Sequence, residues 1–189
     1  MTYSEEIKIL GKAEIHADGA CWQETGGGVG GWGAIIKQNG EERQIYGGDS
    51  STTNNKMEMT ACIKALESLS ERSIVTLYTD SKYLINGITM WIRGWKRNGW
   101  LTKDGEPVKN RELWQQLDYL CSLHHVNWQW VRGHSGNRGN EIADALAVKG
   151  KEEEKARIKA WLERKFEPPI SQPIEIRIDF AKNEGAAND

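Results

Sequence analysis

Apolar and polar residues alternate from Lys12 to Trp22, and this period of two predicts a β-strand. Two shorter runs, 32–37 and 42–47, flank Asn39-Gly40, a dipeptide that favours tight hairpin turns. Three strands joined by short turns predict an antiparallel meander. The glycine-rich segment 26–31 lacks the Gly-Lys-Ser/Thr ending of a phosphate-binding loop, so it is interpreted as a flexible hairpin turn.

The spacing of apolar residues then becomes helical over residues 50–71, with candidate N-caps between Thr52 and Asn55. The β-branched run 73–79 predicts a strand buried on both faces. A crossover helix joins the meander to this strand, so the strand should run parallel to the first. A helix over 112–123, a strand over 126–131 and a last helix, which Asn140 is predicted to cap, complete an α/β pattern.

Four carboxylates and a histidine stand at strand ends, helices and loops of this pattern. Asp18 ends the first strand, Glu58 lies on the apolar stripe of the first helix, Asp80 follows the buried strand, His134 lies in a glycine-flanked loop, and Asp144 lies in the last helix. Each of the first four has an ordinary alternative. Asp18 also fits the role of a turn residue, and Glu58 that of a first-turn residue stabilised by the helix dipole. Asp80 also fits the role of a helix cap, and His134 that of an ordinary surface residue. In an open α/β sheet, however, functional sites form at the carboxyl ends of strands.

The segment 91–111 combines positive charge with aromatic rings. Six basic residues stand against two acidic ones, interleaved with Trp91, Trp95 and Trp100. Such a mixture suits stacking on sugars or bases and contact with phosphates. A solvated helix whose tryptophans face the core is the alternative.

Composition limits the other classes of function. The formal net charge is −2, so a polyanionic partner would have to be bound by local basic patches. The three cysteines are widely spaced without a CxxC motif, which favours a reducing compartment over disulfides or zinc. The sequence shows no apolar run of the length that a signal peptide or a membrane span requires. We therefore expect a soluble, cytoplasmic protein.

Four motifs carry a family resemblance: IHADGACW, TTNNKMEM, LYTDSKYLINGI and VRGHSGNRGNEIADALA. Their order and spacing are similar to those of the type 1 ribonuclease H family in its bacterial form. The resemblance spans roughly residues 12–149. It implies an α/β ribonuclease H-like fold, in which a five-stranded mixed sheet, an antiparallel meander plus two parallel strands, has helices on both faces.

The resemblance also implies the chemistry. Asp18, Glu58, Asp80 and Asp144 match the family's acidic tetrad, and His134 matches its mobile histidine. Converging carboxylates repel one another, and divalent cations remove that repulsion. Oxygen ligands suit two Mg²⁺ ions, or Mn²⁺ as a substitute, for an in-line displacement at phosphorus. The expected reaction is endonucleolytic cleavage of the RNA strand of an RNA/DNA hybrid, leaving 5′-phosphate and 3′-hydroxyl ends.

Substrate contacts follow from the same resemblance. Cys21, Asn54 and Asn55 match residues that read the minor groove of the hybrid, where RNA displays its 2′-hydroxyls, and Thr53 matches a phosphate-binding threonine. The segment 91–111 matches a basic protrusion that grips the DNA strand. The remaining expected nucleic-acid-binding residues are Asn86, Trp91, Trp95, Lys96, Arg97 and Asn140.

Five positions depart from the family pattern. Glu24 stands in place of a groove-reading asparagine, Lys82 in place of a glutamine, Ser51 in place of an arginine and Gly94 in place of an asparagine. Asn86 also replaces a glutamine. The resemblance therefore predicts catalysis more firmly than substrate affinity.

The C-terminal part has no counterpart in the family. We divide the chain into a catalytic domain, 1–150, and an extension, 151–189. The extension is predicted to contain an amphipathic helix ended by Pro168-Pro169, and an alternating strand over 174–180, with a mostly disordered tail after Phe166 as the alternative. We expect a monomer, and a dimer through the extension stays open.

Two other classes of function compete with hybrid cleavage. One is a non-catalytic module that binds hybrids, which would not need clustered, mutually repelling carboxylates. The other is a nuclease of the same superfold acting on another polynucleotide, such as a junction resolvase, which the TTNN segment and the basic protrusion disfavour.

Overall fold

A computed structural model of the chain describes residues 10–22 and 28–166. Five strands form one sheet in the order β3-β2-β1-β4-β5. The strands are β1 (Gly11–Trp22), β2 (Gly28–Gln38), β3 (Glu41–Thr52), β4 (Ser73–Thr79) and β5 (His125–Trp130). The β3-β2-β1 pairs are antiparallel and the β1-β4-β5 pairs parallel, so the predicted mixed sheet is confirmed.

Helices cover both faces of the sheet. They are α1 (Asn54–Glu67), α2 (Lys82–Asn86), α3 (Ile92–Arg97), α4 (Arg111–Leu123) and α5 (Arg138–Phe166), with a π-helical turn, Gly87–Trp91, between α2 and α3. A side chain at Gly30 would meet Met57 of α1, whereas one at Gly31 would meet the backbone of α5. Because neighbouring residues of a strand face opposite sides, α1 and α5 lie on opposite faces.

The hairpin between β2 and β3 confirms its sequence signal. Asn39 and Gly40 both have positive φ angles, 54° and 83°, as a tight two-residue connection requires. The predicted glycine-rich turn is partly wrong, because Gly28 to Gly31 belong to β2 and residues 26 and 27 lie outside the described residues. Glycines occur here because α1 and α5 press closely against the strand.

The hydrophobic core lies mainly between the sheet, α1 and α4. Trp114 of α4 is completely buried, and its ring lies against the backbone at Gly87. From Trp114 a chain of ring contacts runs through Trp95 to Trp91, with centroid separations of 5.4 and 5.8 Å. Trp95 and Trp100 pack against the core, and Trp91 remains 39% exposed. In the segment 91–111, Trp95 and Trp100 therefore face the core, whereas Trp91 remains available for stacking on a ligand.

Helix α5 runs without interruption through residue 150 to Phe166, as the amphipathic pattern predicted for the start of the extension. Glu154 is buried on it, whereas Trp161, Leu162 and Phe166 are exposed. The division at residue 150 stays a prediction, and the alternating segment 174–180 lies outside the described residues. None of the helices in 10–22 and 28–166 is long and apolar enough to cross a membrane.

Candidate active site

The pairing of β1 with β4 brings the first two carboxylates together. His16 is opposite Tyr78 in this parallel pair, and their rings stack with centroids 4.5 Å apart. Two residues further along each strand come Asp18 and Asp80. The register therefore places these two carboxylates side by side where β4 ends.

Glu58 reaches the same end of the sheet because α1 crosses β1 at a glycine. A Cβ atom at Gly19 would overlap the backbone of Met57 and Glu58, so only glycine permits this approach. Glu58 is half-buried and its carboxylate is already hydrogen-bonded. Asn54 Nδ2 donates to its Oε1 at 2.9 Å, and the Ser81 hydroxyl donates to its Oε2.

Asp144 arrives from the opposite face of the sheet. Gly33, the partner of Asp18 in β2, lies under the backbone of Ala143 and Ala147 on α5. This contact sets α5 so that Asp144 faces the strand end. His134 Nδ1 lies 3.8 Å from Asp144 Oδ2, and the His134 side chain is 79% exposed. The structure thus joins the loop histidine to the fourth carboxylate.

The negative charges of Asp80, Asp144 and Glu58 all act on the carboxyl of Asp18. Burial, followed by the negative charges of Asp80, Asp144 and Glu58, raises the pKa of Asp18 to about 7, although the Gly19 amide donates to its Oδ1 at 2.7 Å. Burial and the charge of Asp80 also raise the pKa of Glu58, while hydrogen bonds from Ser81 and Asn54 oppose this increase. A buried group of like charges favours protons or cations.

The donor set fits hard divalent cations, although the side chains are not arranged as a finished coordination shell. Within 10–22 and 28–166, no group of three His, Cys, Asp or Glu side chains is close enough to hold an ion. Oxygens of Asp18 and Glu58 already accept hydrogen bonds from the Gly19 amide, Asn54 and Ser81. Carboxylate oxygens are the ligands that Mg²⁺ prefers. The raised pKa values of Asp18 and Glu58 mean that their negative charge is disfavoured in the folded protein, and bound divalent ions would neutralise that charge.

The structure corrects the cap predicted at Asp80. Ser81 caps α2, because its Oγ accepts a hydrogen bond from Leu84 N at 3.2 Å. Asp80 is therefore free of the capping role. Serine is a common N-cap, so its position just before the helical pattern could have identified this role.

Sequence reasoning also missed two residues that support Asp80. Trp130 Nε1 donates to the carbonyl oxygen of Asp80 at 3.0 Å. Gly133 allows the Asp80 carboxylate to lie directly against the backbone, where a Cβ atom would collide with Oδ2. Neither contact has a local signal, because each joins residues from different elements.

The predicted groove-reading residues gather around the start of α1. Thr53 is its N-cap, accepting from Lys56 N at 3.4 Å, and Asn54 and Asn55 follow as half-buried residues. Cys21 Sγ lies 3.7 Å from the carbonyl oxygen of Thr52, next to this turn. A groove of about 850 Å³ opens beside it. Its basic and hydroxyl-bearing lining residues include Thr52, Thr53, Lys56, Lys109 and Arg111.

The basic segment follows α2 and begins at the end of the π-helical turn. Asn86 ends α2 and is half-buried, Trp91 is partly exposed, and Arg97 is exposed. Lys96 Nζ forms a salt bridge with Asp118 Oδ2 at 2.7 Å. Because both side chains are partly exposed, this pair contributes about 0–1 kcal/mol and can be exchanged for a phosphate contact.

Asn140 requires two corrections. Asn137, not Asn140, caps α5, because the Asn137 side chain accepts from Asn140 N at 3.0 Å. The Asn140 side chain is 1% exposed, and its amide finds no hydrogen-bond partner among the residues that the structure describes. A side chain beneath the surface is not available to a polynucleotide in this arrangement. Its sequence position on α5, one turn before Asp144, gave no indication of this burial.

The departures from the family pattern fall at different places. Ser51 is exposed at the end of β3, Gly94 is exposed in α3 with open space around it, and Lys82 is exposed at the first turn of α2. Glu24 lies outside the described residues.

A family profile and curated relatives match about three quarters of this chain. The RNase H family profile matches residues 11–152. A ribonuclease H of Hyphomonas neptunium is 54% identical over 144 residues, covering 76% of this chain and 95% of that protein. A ribonuclease H of a Chelativorans species is 58% identical over 139 residues, covering 74% of this chain and 85% of its own.

Solved structures agree with the fold. The crystal structure of LC9-RNase H1, a type 1 RNase H with the type 2 active-site motif, superposes with a TM-score of 0.67 at 30% identity and covers 82% of this chain and 85% of its own. A foamy viral protease-reverse transcriptase in complex with RNA/DNA hybrid gives a TM-score of 0.64 at 18% identity over 75% of this chain and 20% of the viral chain. The second likeness concerns the fold alone.

Proposed function

This chain belongs to the ribonuclease H family, whose enzymes cut the RNA strand of RNA/DNA hybrids, and we propose that its four carboxylates support two-metal-ion catalysis. The observation that carries the proposal is geometric: strand register places Asp18 beside Asp80, and close packing at Gly19 and Gly33 brings α1 with Glu58 and α5 with Asp144 to the same strand end. The raised pKa of Asp18 agrees with this placement. Glu58 on α1, Asp80 just after β4 and Asp144 on α5 thus all place negative charge near the buried carboxyl of Asp18 on β1. Such an arrangement lowers stability unless cations are bound.

Asp18, Glu58, Asp80 and Asp144 would hold the ions. When bound, the ions supply an activated water for attack on phosphorus and stabilise the leaving 3′ oxygen. The P–O3′ bond breaks as the new P–O bond forms, and the products carry a 5′-phosphate and a 3′-hydroxyl. The identity of the ion, Mg²⁺ or Mn²⁺, belongs to the proposal.

His134 is proposed to move a proton at this site. Its Nδ1 lies 3.8 Å from Asp144 Oδ2, within reach of the reacting groups through one water. The ring is largely exposed and can exchange its proton with solvent. A positive φ of 51° at His134 shows that the loop presents the side chain in an uncommon backbone conformation.

Recognition of the hybrid is proposed to use the two surfaces beside the site. The half-buried amides of Asn54 and Asn55 and the thiol of Cys21 would face the minor groove, where 2′-hydroxyls distinguish RNA from DNA. The 850 Å³ groove beside Thr53 would receive the DNA strand together with Trp91, Lys96 and Arg97. Asn140 is left out of this set because it is buried.

The experiment compares cleavage of four end-labelled substrates in Mg²⁺: RNA/DNA hybrid, RNA duplex, DNA duplex and single-stranded RNA. We expect cleavage of the hybrid alone, and loss of at least about a hundredfold in Asp80→Asn, because even indirect supports of metal ligands contribute 10–100-fold. Asp104→Asn, an exposed carboxylate between α3 and α4, is the matched control. Unchanged activity in Asp80→Asn would reject the assigned site, and cleavage of the DNA duplex instead of the hybrid would favour a nuclease of the same superfold that acts on another polynucleotide.

The cellular roles proposed from this activity are removal of RNA primers and R-loops. A cytoplasmic location is consistent with the three thiols, Cys21, Cys62 and Cys121, all of which are free. We propose a monomer as the working unit, since the carboxylates all come from one chain.

A further inference from the structure

A lysine and a tryptophan stand together at the rim of the carboxylate site. Lys82 Nζ lies 5.3 Å from the centroid of the Trp130 ring, within the range of a cation–π contact. The same indole donates from Nε1 to the carbonyl oxygen of Asp80 at 3.0 Å. The ring is thereby fixed to the strand end that carries Asp80, and it holds the ammonium group beside that end.

The ammonium group is exposed and uncommitted. Lys82 forms no salt bridge with any carboxylate of the described residues, although the acidic cluster begins two residues earlier at Asp80. Trp130 is 47% exposed, so its ring is open to a ligand beside the ammonium group. An indole face also restricts the long lysine side chain, which reduces the entropy lost when an anion binds.

We infer that the Lys82–Trp130 pair binds a phosphate of the RNA strand next to the scissile one. The inference rests on the proposed function, because the RNA strand must lie over the carboxylates to be cut there. The Lys82 ammonium lies at the edge of the carboxylate cluster, so the polyanion nearest to it would be this RNA strand. The glutamine that the family resemblance leads us to expect at position 82 carries no charge and could not form this ionic contact.

The test measures hybrid affinity as a function of salt in an Asp144→Asn background, in which we expect the hybrid to stay uncut in Mg²⁺. Each phosphate neutralised by a lysine adds about 0.7–0.9 to the slope of log K against log salt. We expect Lys82→Gln to remove one such increment and to weaken binding about three- to tenfold, whereas Lys82→Arg keeps the slope. The matched control is Lys165→Gln on α5, whose Nζ lies 4.5 Å from the Trp161 ring, far along the chain from the carboxylates.

A second measurement locates the phosphate. Hybrids with a single neutral methylphosphonate linkage in the RNA strand should lose affinity for the Lys82-containing protein when the linkage flanks the cut. The same hybrids should lose nothing further in Lys82→Gln, because the two changes remove one contact. Equal salt slopes with and without Lys82, or additive losses at every linkage, would overturn the inference.

These outcomes are distinct from failure of the proposed function. If the wild-type protein cuts hybrid and Asp144→Asn does not, the proposed function stands whatever Lys82→Gln does. If Lys82→Gln leaves the salt slope unchanged but alters the Mg²⁺ concentration needed for cleavage by the otherwise wild-type protein, Lys82 acts on the carboxylates and the phosphate contact is rejected.

Discussion

At the scale of single residues, Asp18 shows most directly that this site is built at a cost in stability. Its carboxyl is 7% exposed, and its pKa of about 7 lies well above the ordinary value of 3.8. The folded protein therefore binds a proton that the unfolded chain releases between these pH values. Stability contributed by this proton is present at low pH and is lost as the pH rises towards 7.

The replacement Asp18→Asn should reverse this loss in the absence of divalent ions. Asparagine has nearly the same shape but cannot ionise, so the variant should gain stability relative to the wild type by about 2–3 kcal/mol between pH 5 and pH 8. Urea unfolding of both proteins in EDTA at the two pH values measures the change. A stability difference independent of pH would contradict the assignment, and adding Mg²⁺ should reduce the difference at pH 8 by stabilising the wild type.

His134 provides a second prediction for a single residue. If it moves a proton, His134→Asn should lower kcat about a hundredfold near neutral pH with little change in KM. Asparagine is the suitable replacement, because it tolerates the positive φ of 51° at this position better than alanine does. Since the side chain is 79% exposed, the unfolding midpoint should not change. A fall in stability equal to the fall in activity would indicate a structural role instead.

At the scale of elements, close contacts at glycines decide where each carboxylate lies. Gly19 is the clearest case, since α1 crosses β1 with no room for a Cβ atom. Gly19→Ala should move α1 outward, cost about 1–3 kcal/mol and separate Glu58 from Asp18, so activity should fall more than stability. Gly94→Ala in α3 is the matched control, because open space surrounds it and alanine should stabilise that helix by about 0.5–1 kcal/mol. Thermal unfolding and cleavage rates of both variants check the prediction, and equal effects would refute it.

Local patterns predicted most of the elements. The bounds of β4 agree with the β-branched run 73–79, and both φ angles of Asn39-Gly40 agree with the expected turn. In each case the signal lies within a few neighbouring residues. The strand assignment of Gly28 to Gly31 was missed, because glycine suggests a turn locally whereas helices on both faces require it here.

The site was predictable only in part for the same reason. The acidic residues could be found from motif order, and strand register then explains why Asp18 and Asp80 meet. The roles of Ser81, Trp130 and Asn140 depend on contacts between elements or on burial, which a one-dimensional pattern does not contain.

At the scale of the whole molecule, the charge distribution matters more than the total. A net charge of −2 gives little general attraction to a polyanion, so binding depends on where the cations lie. Lys56, Lys109 and Arg111 line the groove, and Lys82 stands at the carboxylate rim. The hybrid would therefore be held by a few separate contacts on either side of the acidic cluster.

The extent of the folded unit can be predicted from how α5 packs. Gly150 lies against the backbone of Gly47, and Glu154 is buried against Gly48, so the helix still contributes to the sheet past residue 150. Beyond Arg157 it exposes large apolar side chains: Trp161 is 51% and Phe166 71% exposed.

Ending the chain after Arg157 should therefore leave hybrid cleavage intact and change the free energy of unfolding by less than about 0.5 kcal/mol, as for other exposed positions. Ending it after Gly150 should cost about 1–3 kcal/mol, because it removes the buried turn of α5 around Glu154 and the hydrogen bond, 3.1 Å long, from Tyr46 Oη to Glu153. Urea unfolding of the two truncated proteins compares a boundary near 157 with the predicted one at 150. Equal stability of the two truncated proteins would place the boundary at 150. Loss of cleavage only in the shorter protein would show that α5 must be anchored past residue 150 to hold Asp144 in place.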